Sequence, residues 1–281
     1  MLRHALARQV KNYRMVERKL KARLLVDTLP QSRTPVYDEF HVIRTNDAII
    51  ISDIEVPDHD VWMLKAALLT AMRFNIRTCI FAGDLIATDQ DALNTWLSTW
   101  ADEDGRTYYG DLNELRQIVY QYQAWFTDGI YMIMGNHDLR IDKKTGGQVT
   151  LGMLLDDTDM QFSRYSYMYI WMPKTQEWVY VCHQFNYSKT SVRLAQQVWE
   201  VVSAPDGYDN ATGERIPGYN EWDHGKNKQK CHVLVTHTHV AQDGFSPDGN
   251  WRTIGMGCMR DDKRTKYKRA RATKFPEWTV G

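Results

Sequence analysis

Five short apolar runs in this chain each end at side chains that bind metal ions or carry protons. The runs cover residues 48–51, 78–82, 130–134, 178–182 and 232–235. Because nearly every residue in them is apolar, they predict strands buried on both faces, as in sheets covered by helices. Functional residues in such folds collect at the carboxyl ends of the strands. The pattern therefore predicts an α/β sandwich with its functional site at strand ends.

The segments between these strands fit that alternation. Residues 60–74 predict a helix between the first two strands, and residues 91–128, rich in Trp and Tyr, predict further helices before the third. Tyr165–Trp171 and Trp178–Cys182, separated by a segment that contains Pro173-Lys174-Thr175-Gln176, predict a β-hairpin. Residues 203–230, rich in Gly, Asn, Asp and Lys, predict a long surface loop.

The strand ends carry carboxylates, an amide and imidazoles. In chain order they are Asp53 with Glu55, Asp84, Asn136-His137-Asp138, His183, and His237 with His239. Mixed oxygen and imidazole ligands suit Mn, Fe, Zn or Ni better than Ca or Mg alone. A carboxylate can also bridge two metals about 3.5–4 Å apart, a geometry that serves displacement at phosphorus. One such His would more often be structural, but five strand ends in this order indicate a metal site.

These motifs resemble those of the calcineurin-like metallophosphoesterase superfamily. They are SDIE at 52–55, GD at 83–84, GNHD at 135–138, CHQ at 182–184 and THTH at 236–239. The GNHD form is similar to that of the phosphodiesterase and nuclease branches, whereas Ser/Thr protein phosphatases typically have GNHE. The resemblance implies a four-layer α/β/β/α sandwich with a dinuclear metal site at the carboxyl ends of the strands.

The resemblance also implies a role for each strand-end residue. Metal site one would hold Asp53, Glu55, Asp84 and His239. Metal site two would hold Asp84, Asn136, His183 and His237, with Asp84 bridging the two ions. His137 would protonate the departing oxygen as a general acid. Asp138 would either orient His137 or act as a turn or helix-capping residue.

The first motif departs from the family pattern at Glu55. The family usually has Asp-x-His, and here the motif reads Asp53-Ile54-Glu55. Glutamate is a competent oxygen ligand, which would make the first metal position harder. Two alternatives stay open: Glu55 contacts the metal only through water, or His59 takes part in binding metal or substrate.

The implied activity is hydrolysis of phosphate esters. Two divalent ions are expected, with Mn²⁺ favoured and Fe, Zn, Ni or Mg as alternatives, and a hydroxide bridging them would attack phosphorus in line. The motifs favour a phosphodiesterase or nuclease that acts on nucleic acid or nucleotides. The alternatives are a phosphomonoesterase for proteins or small molecules, and a catalytically weak nucleic-acid-binding protein on the same fold.

The formal net charge of zero conceals two basic ends. Residues 1–25 carry eight Lys or Arg against one acid, a net +7, and residues 260–274 carry eight against two, a net +6. Basic residues interleaved with aromatic ones suit a nucleic-acid backbone and stacked bases, so DNA or RNA is an expected partner. Arg260, Lys263 and Arg264 are candidate substrate-binding residues. The alternative is that both ends are solvated faces or oligomer contacts.

The chain divides by composition into three parts. Residues 1–45 predict a basic amphipathic helix and a linker, residues 46–259 the metallophosphoesterase domain, and residues 260–281 a basic tail. The four cysteines are far apart, and no signal-peptide core or membrane-spanning apolar run is present. These features predict a reduced, cytoplasmic protein from a bacterium or a phage-infected cell, and they leave the oligomeric state undefined.

Overall fold

The computed structural model divides the chain into two compact units, Met1–Glu39 and Phe40–Gly281. The structure describes residues 15–17, 19–21, 41–88, 107–163, 165–185, 190–217, 219 and 228–261. In the first unit the described residues are helical and exposed, and Lys21 pairs with Glu17 at 2.9 Å. They fall within the predicted N-terminal helix, and the rest of that prediction lies outside the described residues.

The second unit contains two β-sheets. The smaller sheet has four parallel strands in sequence order: β2 (Ile49–Ile51), β3 (Thr78–Ala82), β4 (Gly129–Ile133) and β5 (Gln161–Phe162). The larger sheet consists of β1 (Val42–Arg44), β6 (Tyr167–Met172), β7 (Glu177–His183), β8 (His232–Thr236), β9 (Gln242–Phe245) and β10 (Arg252–Gly255). Its order is β1-β6-β7-β8-β10-β9, with β6–β7 and β9–β10 antiparallel and the other pairs parallel.

Five helices accompany the sheets in the described part of this unit. They are α1 (Val61–Phe74), α2 (Tyr108–Gln123), α3 (Leu139–Thr145), α4 (Leu151–Leu154) and α5 (Ser191–Val201). Helix α1 begins where the Asp60 carboxylate accepts hydrogen bonds from the amides of Trp62 and Met63, at 2.7 and 3.1 Å. It ends at Asn75, which adopts the left-handed conformation that terminates many helices.

Alternating side chains of the strands build three apolar layers. Phe81 of β3 packs outward among residues of α1 and α2, and Ile80, its neighbour in sequence, packs inward between the two sheets. There it meets Met168 and Val181 of the larger sheet. The opposite face of that sheet packs against Leu194 and its neighbours on α5. The fold is therefore a four-layer α/β/β/α sandwich, which confirms the predicted fold class.

The predicted strands and the β6–β7 hairpin are present, and the differences lie at the edges of the larger sheet. The sequence assigns residues 1–45 to a helix and linker. In the structure, Val42–Arg44 of that range pairs with β6 and forms strand β1. Helix α5 and the β9–β10 hairpin were not predicted. Within residues 91–128 the described part forms α2, and residues 89–106 lie outside the described residues. The described part of the 203–230 loop contains no helix or strand beyond a single-bridge pair.

No helix in the described ranges is long and apolar enough to cross a lipid bilayer.

Candidate metal centre

The predicted ligands converge where the carboxyl ends of both sheets meet. Three overlapping groups each have ligand atoms within 4.8 Å of one another: Asp53, Asp84, His183 and His237; Asp53, Glu55 and His239; Glu55, Asp84 and His137. Asp53 follows β2 and Asp84 follows β3, both in the smaller sheet. The larger sheet supplies His183 as the last residue of β7 and His237 directly after β8. The site thus depends on the packing of one sheet against the other.

The backbone at this site is held in an unfavourable conformation. Positive φ angles, which residues other than glycine adopt infrequently, occur at five of the predicted ligands: Asp53 (52°), Glu55 (49°), Asp84 (53°), His237 (83°) and His239 (58°). Such conformations persist only where the surrounding structure fixes them, and they concentrate at functional sites. Backbone hydrogen bonds fix them here, since the amides of Asp53 and Glu55 donate to the carbonyls of Gly83 and Asp84, each at 3.0 Å.

Asp53, Glu55 and His239 form one of these groups. His239 Nε2 lies 3.0 Å from Asp53 Oδ1 and 3.2 Å from Glu55 Oε1. Both carboxylate oxygens are buried, and neither has a hydrogen-bond partner among the residues that the structure describes. Burial alone would raise the pKa of Glu55, but the positive charge of Arg260 and the nearby imidazoles outweigh it and hold that pKa well below its usual value. Glu55 is therefore a carboxylate that presents one oxygen to the site.

In the group of Asp53, Asp84, His183 and His237, the buried imidazole of His183 contacts several of the other ligands. Its Nδ1 lies 3.0 Å from the carbonyl of Ala82 and 2.9 Å from Thr236 Oγ1. With Nδ1 donating to that carbonyl, the Nε2 lone pair faces Asp84 Oδ2 and Asn136 Oδ1, each at 3.2 Å. Although burial acts in the opposite direction, the imidazoles of His183 and His137 lower the pKa of Asp84. A histidine fixed through its outer nitrogen in this way is typical of metal ligands.

The chemistry of these atoms fits divalent metal ions. Within the described part of the chain, four buried ligand atoms have no hydrogen-bond partner: Asp53 Oδ1, Glu55 Oε1, Asp84 Oδ2 and His237 Nδ1. An unpartnered buried polar group costs about 1–3 kcal/mol, and more when it is charged. A divalent cation would partner several of these atoms at once, and a set of carboxylate oxygens and imidazole nitrogens is one that Mn, Fe, Zn and Ni accept. These residues therefore form a candidate metal-binding cluster.

The Asp138 carboxylate binds backbone amides. Its Oδ2 accepts from the amides of Asp84 at 2.7 Å and Gly135 at 2.9 Å, and its Oδ1 accepts from Leu85 at 2.9 Å. No hydrogen bond joins this carboxylate to the ring of His137 within the described part of the chain. Burial, and then the nearby charge of Asp84, raises the pKa of the Asp138 carboxyl. Asp138 thus ties the GD loop to the GNHD loop, as a turn-stabilising residue would.

We expect Asp138→Asn to reduce stability. An amide nitrogen in place of either oxygen leaves at least one buried backbone N–H unpaired, at about 1–3 kcal/mol each. Chemical denaturation followed by circular dichroism measures the loss, and Asp128→Asn at an exposed loop is the matched control. A variant as stable as the wild type would contradict this role.

His137 is oriented by the main chain and by an arginine that the sequence did not single out. Its Nδ1 lies 2.6 Å from the carbonyl of Ala87, so Nδ1–H donates there and Nε2 carries the lone pair. Arg140 Nη2 lies 3.1 Å from that Nε2, and its Nη1 donates to Ala87 and Thr88. Arg140 follows His137 by three residues at the start of α3. This spacing brings side chains together in a helix, and it could have predicted the contact between Arg140 and His137.

The structure describes two of the four candidate substrate-binding residues, His59 and Arg260. His59 is buried, and its Nε2 lies 3.8 Å from Glu114 Oε1. Arg260 is fully buried, and its guanidinium bonds Glu55 Oε2 and approaches His239 Nδ1 to 2.9 Å. Arg260 therefore lies behind the ligands rather than on an open surface. Lys263 and Arg264 lie outside the described residues, so their role stays a prediction.

Comparison with known proteins gives fold-level similarity only. No protein-family model matches the chain, and no curated protein matches it. YfcE, a phosphoesterase from E. coli, is similar at 12% identity over 75% of this chain and 79% of that one, with a TM-score of 0.39. A protein named provisionally as a diadenosine tetraphosphatase is similar at 17% identity over 78% and 88%, with a TM-score of 0.31. At such scores neither similarity carries an argument about the function of this chain.

Proposed function

We propose that this chain is a metal-dependent phosphodiesterase with two divalent cations at the strand ends. The observation that carries the proposal is the set of buried ligand atoms, contributed by both sheets, that have no hydrogen-bond partner among the described residues. Asp84 belongs to two of the three overlapping groups, as Asp53 and Glu55 also do, and it is the carboxylate to which the family resemblance assigns the bridge. A bridging carboxylate occupies such a position in two-metal sites.

The chemistry divides between the metals and the protein. Bound divalent ions lower the pKa of water towards neutrality and neutralise phosphate oxygens. The chain holds its ligands rigid: the Ala82 carbonyl fixes His183, and the backbone amide of His137 donates to Asp84 Oδ1 at 2.8 Å. We assign to His137, which has a ring nitrogen within 4.8 Å of ligand atoms of Asp84 and Glu55, the transfer of a proton to the departing oxygen. These are the parts that in-line hydrolysis of a phosphate ester requires.

The substrate class within this proposal is a phosphodiester of nucleic acid or a nucleotide. Its support is the GNHD form of the third motif and the net charges of +7 and +6 in residues 1–25 and 260–274. Basic runs of this kind bind phosphate backbones by releasing counterions. A phosphomonoesterase would use the same metal centre, and a binding protein would use the basic runs without turnover.

Two model substrates distinguish these readings. The metal-stripped chain is reloaded with Mn²⁺ and assayed on bis-p-nitrophenyl phosphate and p-nitrophenyl phosphate. The proposal predicts a higher kcat/KM for the diester. A higher value for the monoester would make the chain a phosphomonoesterase. No hydrolysis of either, together with salt-dependent binding of DNA or RNA, would make it a nucleic-acid-binding protein.

We expect His137→Ala to slow hydrolysis most for esters with poor leaving groups. A leaving oxygen of high pKa needs a proton in the transition state, and general acid catalysis contributes roughly 10²–10⁴-fold. The measurement is kcat across aryl phosphodiesters of increasing leaving-group pKa, with metal content checked in parallel. His232→Ala, at a residue paired with Glu177 in the larger sheet, is the control. An equal loss for every leaving group would contradict the acid role.

A further inference from the structure

Trp62 is an exposed aromatic residue in the first turn of helix α1. The indole-bearing residue is 77% exposed, although tryptophan is usually among the more buried residue types. Lys65 follows by three residues on the same helix, and its Nζ lies 5.0 Å from the centre of the Trp62 ring. An ammonium group at this distance is attracted to the face of the ring. The Trp62–Lys65 pair thus presents a flat apolar surface and a positive charge side by side.

Main-chain hydrogen bonds connect the start of α1 to the candidate metal centre. The Met259 amide donates to the carbonyls of Ser52 and Asp53 in the first motif, each at 3.2 Å. The Met259 carbonyl accepts from the amide of Asp60 at 2.7 Å. Asp60 in turn caps α1, because its carboxylate accepts from the amide of Trp62 at 2.7 Å. A short series of contacts therefore links the predicted ligand Asp53 to Trp62.

The same backbone pairing precedes the basic run near the carboxyl end of the sequence. The Asp261 amide donates to the Asp58 carbonyl at 2.7 Å, which fixes residue 261 beside the loop that leads into α1. Residues 263–274 follow in the sequence with seven Lys or Arg and no Asp or Glu. The basic run therefore begins two residues after a position that is held next to the first turn of α1.

An aromatic ring and positive charges in one place fit single-stranded nucleic acid. An unpaired base can stack on an exposed ring, and every base has such a face, so this contact needs no particular sequence. Positive charges beside the ring pair with the phosphates that link the bases. The exposed apolar surface of α1 continues to Leu69, where a protein partner would bind. Seven basic residues without an acid nevertheless favour a polyanion.

We propose that Trp62 and Lys65 form a binding site for single-stranded nucleic acid, in which a base stacks on Trp62 and a neighbouring phosphate pairs with Lys65. This inference rests on the proposed nucleic-acid substrate. It makes that substrate a single strand that extends from the metal centre towards the start of α1.

The test measures the affinity of fluorescein-labelled oligo(dT) by fluorescence anisotropy. The metal-stripped full chain is used, so that binding is observed without hydrolysis. We expect Trp62→Ala to bind oligo(dT) about 5–100-fold more weakly than the wild type, the range for the loss of one stacked base. Trp62→Phe keeps an aromatic ring and should retain most of the affinity. Binding of an oligo(dA)·oligo(dT) duplex, whose bases are already stacked, should fall less in Trp62→Ala.

The other end of α1 supplies the matched control. Phe74 is the last residue of the helix and is also exposed, and Arg73 Cζ lies 5.7 Å from the centre of its ring. Phe74→Ala therefore removes a similar aromatic and cationic pair far from the first motif, and it should bind oligo(dT) as the wild type does. Thermal unfolding of each variant identifies any that fails to fold.

A second variant tests the charge independently of the ring. Lys65→Ala should reduce the slope of the logarithm of affinity against the logarithm of salt concentration by about 0.7, the value for one phosphate contact of a single strand. This measurement decides the proposal should Trp62→Ala fail to fold. An unchanged slope would contradict the phosphate contact.

Three results for the ring would overturn the inference: wild-type affinity in Trp62→Ala, an equal loss in Phe74→Ala, or an equal loss for the duplex. Self-association that Trp62→Ala abolishes while oligo(dT) binding is unaltered would assign this surface to a second copy instead. Hydrolysis of bis-p-nitrophenyl phosphate by the Mn²⁺-loaded wild type separates the inference from the proposed function. Binding through Trp62 without hydrolysis would contradict the proposed function alone, whereas hydrolysis without such binding would contradict the inference alone.

Discussion

Asp84→Asn should abolish tight Mn²⁺ binding and hydrolysis together. This carboxylate is buried, its Oδ2 has no hydrogen-bond partner among the described residues, and it shares one candidate ligand group with Asp53 and another with Glu55. Neutralising it removes the one negative charge that both cations would share. We expect kcat to fall by more than the roughly 10–100-fold that results from losing a mere partner of a ligand. Calorimetry with Mn²⁺ and a diester assay on the same preparation measure both effects.

The matched control is Asp47→Asn. Asp47 is exposed and its Oδ2 lies 3.9 Å from Lys174 Nζ, so the same chemical change there should leave metal binding and rate unaltered. An Asp84→Asn variant that folds, binds two Mn²⁺ ions and turns over normally would contradict the bridging role.

Gly135→Ala should disrupt the same site by sterics alone. A Cβ at Gly135 would lie 2.1 Å from Asp84 Oδ1 and 2.3 Å from Asp84 N, closer than nonbonded atoms approach. Overpacking in a rigid interior costs about 1–3 kcal/mol or more, and here the displaced group is the central ligand. We therefore expect a lower melting temperature and a loss of Mn²⁺ binding of at least about tenfold, as for other disturbed ligands.

Gly152→Ala provides the comparison for this variant. Its added Cβ would meet Phe162 at 3.4 Å, an ordinary van der Waals distance, and it lies in helix α4. We expect normal stability and metal binding for Gly152→Ala. Wild-type metal affinity in Gly135→Ala would show that the GNHD loop does not set the position of Asp84.

The sequence was sufficient for the central strands and their terminal residues because both signals are local. Buried strands such as β3 are apolar throughout, and each ligand follows its strand within a few residues. Strand β9 reads Gln-Asp-Gly-Phe and β10 reads Arg-Thr-Ile-Gly, so neither carries an apolar pattern that predicts a strand. Helix α5 does carry a helical apolar pattern, with Leu194, Ala195 and Val198 buried on one face, so this helix was predictable from the sequence.

The contacts that support the ligands depend on tertiary structure and were beyond local inference. Arg260 and Glu55 are 205 positions apart in the chain, and only the pairing of residues 258–261 beside the first motif brings them together. The contacts of Asp138 also depend on tertiary structure. Its position next to His137 suggested a catalytic partner, whereas the approach of the GD loop gives it backbone amides to bind instead.

The most direct measurement is the rate of bis-p-nitrophenyl phosphate hydrolysis by the metal-stripped full chain as Mn²⁺ is added. The account predicts no turnover without metal, a rise that saturates as two ions bind, and no response in Asp84→Asn. Turnover that is independent of added metal, or a fully metal-loaded chain that hydrolyses no phosphodiester, would contradict it.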